Sequence, residues 1–337
     1  FFCCFVITFG FASDQQNNTL TLFSPFYTMD TITHTKSGAS VKIHPYGATI
    51  VSFIDGKGRE TLFLSKDAVM DGSKPIRGGI PLVFPIFGPA DASTGSTMPQ
   101  HGFARRNTWT VKTDSKYDHD EVAGIIYTLS LKDVVAGRGD NNPWSSSQAA
   151  IDGTDCMLQF EVILNGTTLT TTLSVENTGA DSFNLQMLQH TYLRVDGGAA
   201  LDPSQCFVEH LDNFSIIDQI HPEKSGSLCN DTVTLIPNEA TDKIFQHPEA
   251  DHPVLKVSVG VGSGKKICLE AAAMIAESPV PVNCVVWNPH AEKAAAMSDF
   301  GNEQYKDMIC VEPGMIGHQP LLQPGKKAQL TQILLVE

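Results

Sequence analysis

From about Thr31 onward the chain is cut into short runs of β-branched, aromatic and other apolar residues by clusters of Gly, Pro, Asn and Asp, which constrains its fold more than any other feature. The clearest run is 169–175, where Leu169, Thr171, Leu173 and Val175 alternate with Thr170, Thr172 and Ser174. A period of two places one face of a strand on a core. Residues 40–54 hold two further runs, divided by the turn residues Pro45, Tyr46 and Gly47. Strands are also expected at 157–164, 183–195, 255–261, 283–287, 308–311 and 328–336. Only 291–297 has the composition of a helix, and it is short. Many strands, frequent turns and no alternating long helices predict an all-β sandwich rather than a parallel α/β fold. No Pro- or Ser-rich linker divides the chain, so 30–337 is read as one domain. The polar stretch 137–155 is expected to be a long surface loop.

Composition narrows the partners. With 337 residues, 42% apolar and 18% charged, the chain is ordinary globular material. Its 23 Lys and Arg face 37 Asp and Glu, a formal charge of −14. Nucleic-acid binding draws on clustered cations, so no nucleic acid is expected as partner. An anionic substrate must instead be held by a few locally placed arginines. No run of 18 apolar residues predicts a membrane span. Residues 1–29 are set apart as an apolar presequence and polar linker. Residues 1–12 read like the apolar region of a secretory signal without its initiator Met and basic start, or like an ordinary buried strand. Sequons begin at Asn17, Asn165, Asn213 and Asn230 and permit a secretory route without showing one. The body cysteines Cys156, Cys206, Cys229, Cys268, Cys284 and Cys310 are too sparse for a disulfide scaffold and form no CxxC pair.

Four segments have the residue types that chemistry needs. In 74–89 (KPIRGGIPLVFPIFGP), Gly78 and Gly79 follow Arg77, which suits either backbone drawn close to a clamped ligand or a tight buried crossover. In 99–109 (PQHGFARRNTW), Gln100, His101, Arg105 and Arg106 stand beside aromatics, as a sugar or phosphate site requires, or form a solvated basic turn. An extended chain here would turn one of the two arginines away. His190, in QMLQHTYLRV, is either a structural histidine or a general acid. Glu312 follows an apolar run and precedes Pro313 and Gly314, where a carboxylate is costly unless paired or employed. Trp287 and Asn288 could add a stacking face and a polar handle, and Asp242 reads as a loop carboxylate. No HExxH, no GxSxG elbow and no dinucleotide fingerprint is present. No metal and no cofactor are expected, which leaves metal-free acid–base chemistry.

Taken in order, IRGGIPLVFPIFG, MPQHGFARRNTW, QHTYLRV, TDKIF and VVWNPHAEKAAAMSDFGNEQYKDMICVEPG resemble the glucose-6-phosphate 1-epimerase (hexose-6-phosphate mutarotase) branch of the aldose 1-epimerase superfamily. That resemblance runs from about Thr31 to the C-terminus. It implies a galactose-mutarotase-like β-supersandwich of antiparallel sheets with a sugar cleft on its concave face. It also implies interconversion of the α and β anomers of a hexose 6-phosphate. By motif position, His190 matches the general acid and Glu312 the general base. Arg77, Gln100, Arg105 and Asp242 match substrate-binding positions, the arginines as phosphate contacts, and His101 adjoins them. The expected partner is a small sugar phosphate, and the expected state a monomer. Location is left open between the family's cytoplasm and a secretory or organellar route. Phe84 and Phe87 stand around Pro85 where the family often has Trp before the proline and Gln after it, and Pro313 replaces a frequent Ala. The rival readings are a non-catalytic carbohydrate-binding sandwich and a mutarotase for unphosphorylated aldoses. A glycoside hydrolase is less favoured, because the catalytic slots supply one carboxylate and one His.

Overall fold

The alternating runs pair into two large antiparallel sheets. The computed structural model describes residues 27–91, 98–136, 154–230, 232–248 and 253–337. The apolar start and most of the expected 137–155 loop lie outside the described residues.

The larger sheet has ten strands. In spatial order they are β13 (Cys206–Glu209), β16 (Leu255–Val261), β17 (Lys266–Ile275), β22 (Lys327–Val336), β9 (Thr168–Asn177), β8 (Cys156–Leu164), β7 (Ala123–Ser130) and β5 (Thr110–Val111). Two short strands complete it, β18 (Ser278–Val280) on β17 and β6 (Tyr117–Asp118) on β7. The second sheet runs β14 (Ser215–Asp218), β15 (Thr241–Gln246), β19 (Asn283–Asn288), β20 (Met308–Met315), β11 (Met187–Gln189) and β4 (Leu82–Val83), with β12 (Tyr192–Arg194) also on β20. Smaller sheets are formed by β1 (Asp30–Thr33), β2 (Ser40–His44) and β3 (Thr49–Ile54), and by β10 (Phe183–Asn184) with β21 (Leu321–Leu322).

Alternation decides what the sheets bury. On β9, Leu169, Thr171, Leu173 and Val175 are buried while the residues between them are partly exposed. β8 contributes Leu158, Phe160 and Val162 to the same inner face. Facing them, Phe245, Val286, Ile309 and Val311 of the second sheet join the same apolar cluster. Each such side chain is worth about 1.5–3 kcal/mol when fully buried. The outer face of the second sheet is left for a site.

Three expectations change. Residues 183–195 form β10, β11 and β12 rather than one strand. The crossing chain intervenes there, with His190 N–H donating to Pro81 O (2.9 Å) and Tyr192 N–H to Gly79 O (2.9 Å). The run at 308–311 extends through Pro313 to Met315, which places Glu312 inside a strand rather than at its end. Pro313 is tolerated because β20 pairs with β12 up to Cys310 and with β11 from Gly314, so 311–313 face the break between them. A second helix joins α2 (His290–Ala296): α1 (Leu131–Ala136), whose entry is capped by Ser130 Oγ accepting from Asp133 N–H at 3.1 Å. The six body cysteines are all free thiols. Among the described residues, no helix is long and apolar enough to cross a membrane.

Candidate active site

Register places the outward side chains of four strands in one row. Asp242 of β15 pairs with Trp287 of β19, Trp287 with Cys310 of β20, and Cys310 with Tyr192 of β12. Glu312 stands one step along β20 on the same face, opposite Val285. Asp242, Trp287, Tyr192 and Glu312 of this row line a cleft of about 810 Å³, walled by Arg77, Phe87, His101, Arg105, Arg106 and Asp299. A smaller hollow of about 340 Å³ lies farther along, between Gln246, Asn283 and Ile316, and has no carboxylate in its lining among the described residues.

His190 sits at the break between β11 and β12, and its neighbours hold it there. Gln189 and Thr191 point inward, away from the cleft. Thr171 Oγ1 donates to Gln189 Oε1 at 2.6 Å, and Thr191 Oγ1 donates to Gln332 Oε1 at 2.7 Å. Both anchors reach strands of the opposite sheet, so the backbone bearing His190 is fixed from behind. In front, the imidazole stacks on Tyr192 with centroids 4.7 Å apart and planes 9° from parallel. Trp287 meets both rings edge-on at 6.0 Å. His190 Nδ1 then lies 3.2 Å from Glu312 Oε1.

Burial governs the protonation of this pair. His190 is 8% exposed and Glu312 1%. Desolvation pulls the imidazole well below its usual range, helped by His101 and the nearby Arg105 and Arg77. Desolvation pushes the Glu312 carboxyl well above its range, with Asp242 adding to it and Arg105 opposing. Both shifts favour the uncharged forms, a protonated Glu312 carboxyl beside a neutral imidazole.

The cationic wall divides into a tied member and a freer one. Arg77 donates to both Asp299 oxygens at 3.4 Å and to the Tyr192 hydroxyl at 3.3 Å. Arg105 donates from Nη2 to Gln100 O at 2.9 Å, and its buried Nε has no protein partner among the described residues. Burial, with Arg77 and Arg106 alongside, pulls the Arg105 guanidinium down to about 10, so it is still charged at neutral pH. His101 Nδ1 accepts from Gly88 N–H at 3.1 Å, which leaves the proton on Nε2. Burial, then Arg105 and Arg77, lower His101 to about 3. It is a neutral imidazole on the cleft wall. Opposite, Gln219 Nε2 donates to Asp242 Oδ1 at 2.7 Å, and burial raises the Asp242 carboxyl despite Lys293 and Gln219.

All seven residues expected at the site line this one cleft: His190, Glu312, Arg77, Gln100, His101, Arg105 and Asp242. Details depart from expectation. Asp242 is on β15, not in a loop. Residues 104–106 form a turn of 3-10 helix rather than extended chain, so Arg105 and Arg106 both reach the cleft. Gly78 and Gly79 lie at a tight chain crossing: a Cβ on Gly79 would lie 1.9 Å from Ile50 O. Asn288 faces away from the cleft, its amide donating to Tyr305 O and Met308 O at 2.8 and 2.9 Å. Tyr192, Asp299, Gln219 and Lys74 were not expected. Tyr192 alone had a local signal, two residues from His190 and hence on its face.

The family model described as Aldose 1-epimerase matches residues 30–335. A protein of Cenchrus ciliaris named "Putative glucose-6-phosphate 1-epimerase" is 28% identical over 289 residues, covering 85% of this chain and 78% of its own. One of the same name from Escherichia coli (strain K12) is 26% identical over 294 residues, 86% of this chain and 84% of its own. Among solved structures, a "putative mutarotase (YeaD)" from Salmonella typhimurium superposes with TM-score 0.69 at 22% identity, over 91% of this chain and 90% of that one. A galactose mutarotase-like protein from Lactobacillus casei ATCC 334 gives TM-score 0.59 at 18% identity, over 92% and 100%.

Proposed function

This chain is an enzyme of the aldose 1-epimerase family, and on that premise we propose that it interconverts the α and β anomers of a hexose 6-phosphate, glucose 6-phosphate first among them. The observation that carries this reading is an imidazole and a carboxyl 3.2 Å apart in a cleft walled by arginines. Anomer exchange opens the pyranose and recloses it on the other face of the aldehyde. The two oxygens that exchange protons are bonded to one carbon, so acid and base must stand close together, each within reach of its own oxygen. A buried, tightly placed pair meets that demand.

In the productive arrangement Glu312 is the carboxylate and takes the C1 hydroxyl proton, while His190 is the imidazolium and protonates the ring oxygen. The ring C1–O bond breaks, the aldehyde turns about C1–C2, and the roles reverse on closure. The productive arrangement has the same proton count as the neutral pair of the open cleft. It needs only the transfer of one proton from Glu312 to His190. A phosphate dianion on Arg77 and Arg105 offsets the positive charge that depresses His190, so the substrate itself favours that transfer. Phosphate grip at the far end also leaves C1 free to turn. Gln100, His101 and Asp242 are left to hold ring hydroxyls. Every proton moved has a side chain to carry it, so the proposed chemistry calls for no cofactor.

One-dimensional NMR of anomer exchange tests the proposal: glucose 6-phosphate should exchange faster than buffer, and glucose more slowly than its phosphate. Spontaneous rates for both sugars would overturn it. The rival substrate class is separated by Arg105→Gln. Loss of a charged hydrogen bond is worth about 1.5–3 kcal/mol, so kcat/KM for the phosphate should fall about 10- to 100-fold while that for glucose hardly moves. Equal losses for both sugars would favour an unphosphorylated aldose.

The pH dependence follows from the pair's proton count. With two protons bound no base remains, and with none no acid remains, so kcat/KM should fall at both limits. The two apparent values belong to the couple rather than to either residue. A profile flat across both limbs excludes the assignment.

A further inference from the structure

The face that bears the acid–base pair also bears a thiol. Cys310 precedes Glu312 by two residues on β20, so the alternation of the strand turns both side chains to the same side. The donor atoms of His190, Cys310 and Glu312 all lie within 4.8 Å of one another. We propose that these three residues form a binding site for a thiophilic divalent cation, Zn²⁺ or Co²⁺, whose occupancy blocks the enzyme.

The geometry is close to what such an ion takes. Bonds of about 2.0–2.3 Å in a tetrahedron set the ligand atoms roughly 3.3–3.6 Å apart. His190 Nδ1 and Glu312 Oε1 are already 3.2 Å apart, and one donor atom from each of the three residues lies within 4.8 Å of the others. Two further atoms point to a missing partner. His190 Nδ1 and Glu312 Oε2 are buried and make no hydrogen bond among the described residues. Buried polar atoms are rarely left so. The cleft side supplies the open fourth position.

Imidazole, thiolate and carboxylate together select Zn²⁺ or Co²⁺ over Mg²⁺ and Ca²⁺, which take oxygen ligands. Binding releases two protons, one from the Cys310 thiol and one from the His190–Glu312 pair, and leaves a thiolate and a carboxylate to neutralise the ion. Burial holds the thiol protonated until the metal arrives. Metal and substrate exclude each other, because the ion takes the lone pairs that the proposed catalysis uses.

Inhibition rests on the proposed roles of His190 and Glu312, but binding does not. The first readout is therefore spectroscopic. Co²⁺ added to the purified protein should produce a thiolate-to-cobalt charge-transfer band and tetrahedral visible bands, both abolished by Zn²⁺. Cys310→Ser should lose the charge-transfer band. It should also raise the Zn²⁺ concentration for half-inhibition of anomer exchange at least tenfold, while activity in metal-free buffer stays unchanged. Mg²⁺ should do nothing in either protein. Should Cys310→Ser fail to fold, Cys310→Ala serves the same comparison. Absence of the charge-transfer band in the native protein, or its persistence in the Cys310 variant, overturns the site. A protein with the band but without mutarotase activity would retain the metal site and overturn the proposed function instead.

Discussion

Glu312→Gln is expected to slow anomer exchange of glucose 6-phosphate by about 10²- to 10⁴-fold, the range general-base catalysis contributes, without unfolding the protein. The amide keeps the shape of the carboxyl but cannot take a proton from the C1 hydroxyl. Stability should hold for a reason specific to this site. Burial disfavours the charged carboxylate at Glu312, so a neutral amide suits the same surroundings. KM should change little, because Arg77 and Arg105 grip the far end of the substrate. The loss should therefore fall on kcat. NMR exchange rates beside a thermal melt by circular dichroism decide the matter. Near-native exchange in a folded Glu312→Gln protein would remove Glu312 from the base role, and a collapsed melt would show a structural duty instead.

How much of this was legible depends on what each residue's neighbours are. The strand at 169–175 announced itself because one face meets a core and the other does not. β17 did not, because LEAAAMI places small alanines on both faces, and their small size suits a sheet interior as well as a helix. β15 hid behind the charged pair Asp242 and Lys243, which read as a loop until the sheet register put Asp242 beside Trp287. His190 and Glu312 stand out separately by residue type and context, but only the resemblance pairs them as acid and base, since nothing in their spacing brings them together. Their meeting is made by β20 lying between β12 and β19, a fact of topology. Asp299 and Gln219 belong to the site through tertiary contacts alone, one on Arg77 and one on Asp242. Gln189 and Thr191 were the overlooked clue. Polar residues on the core side of a strand need partners in the facing sheet, and here those partners fix the histidine between them.

A single methyl group at Gly102 should do more damage to the fold than any change to the catalytic pair. Gly102 has φ +74°, and a Cβ there would lie 1.9 Å from Phe84 O, 2.3 Å from Phe84 C and 2.7 Å from Pro85 N. All three are backbone atoms, so no side-chain rotation relieves the clash. The carbonyl displaced is also an acceptor for Phe103 N–H at 2.9 Å and Ala104 N–H at 3.4 Å. Gly102→Ala therefore loses main-chain hydrogen bonds as well as room. It is expected to cost more than about 4 kcal/mol, in the range reserved for a named structural failure, or to prevent accumulation of soluble protein. Gly58→Ala separates strain from collision. Its φ is +79°, but nothing lies within 4 Å of the added Cβ, so only the left-handed backbone cost of about 1–2 kcal/mol applies. Urea unfolding of the two variants makes the comparison, and equal midpoints would show that the close approach to Phe84 is not a constraint. The same turn supplies Gln100, His101 and Arg105 to the cleft. Any Gly102→Ala protein that does fold should consequently bind glucose 6-phosphate more weakly than Gly58→Ala, because the crossing at Phe84 holds the arginine wall in place.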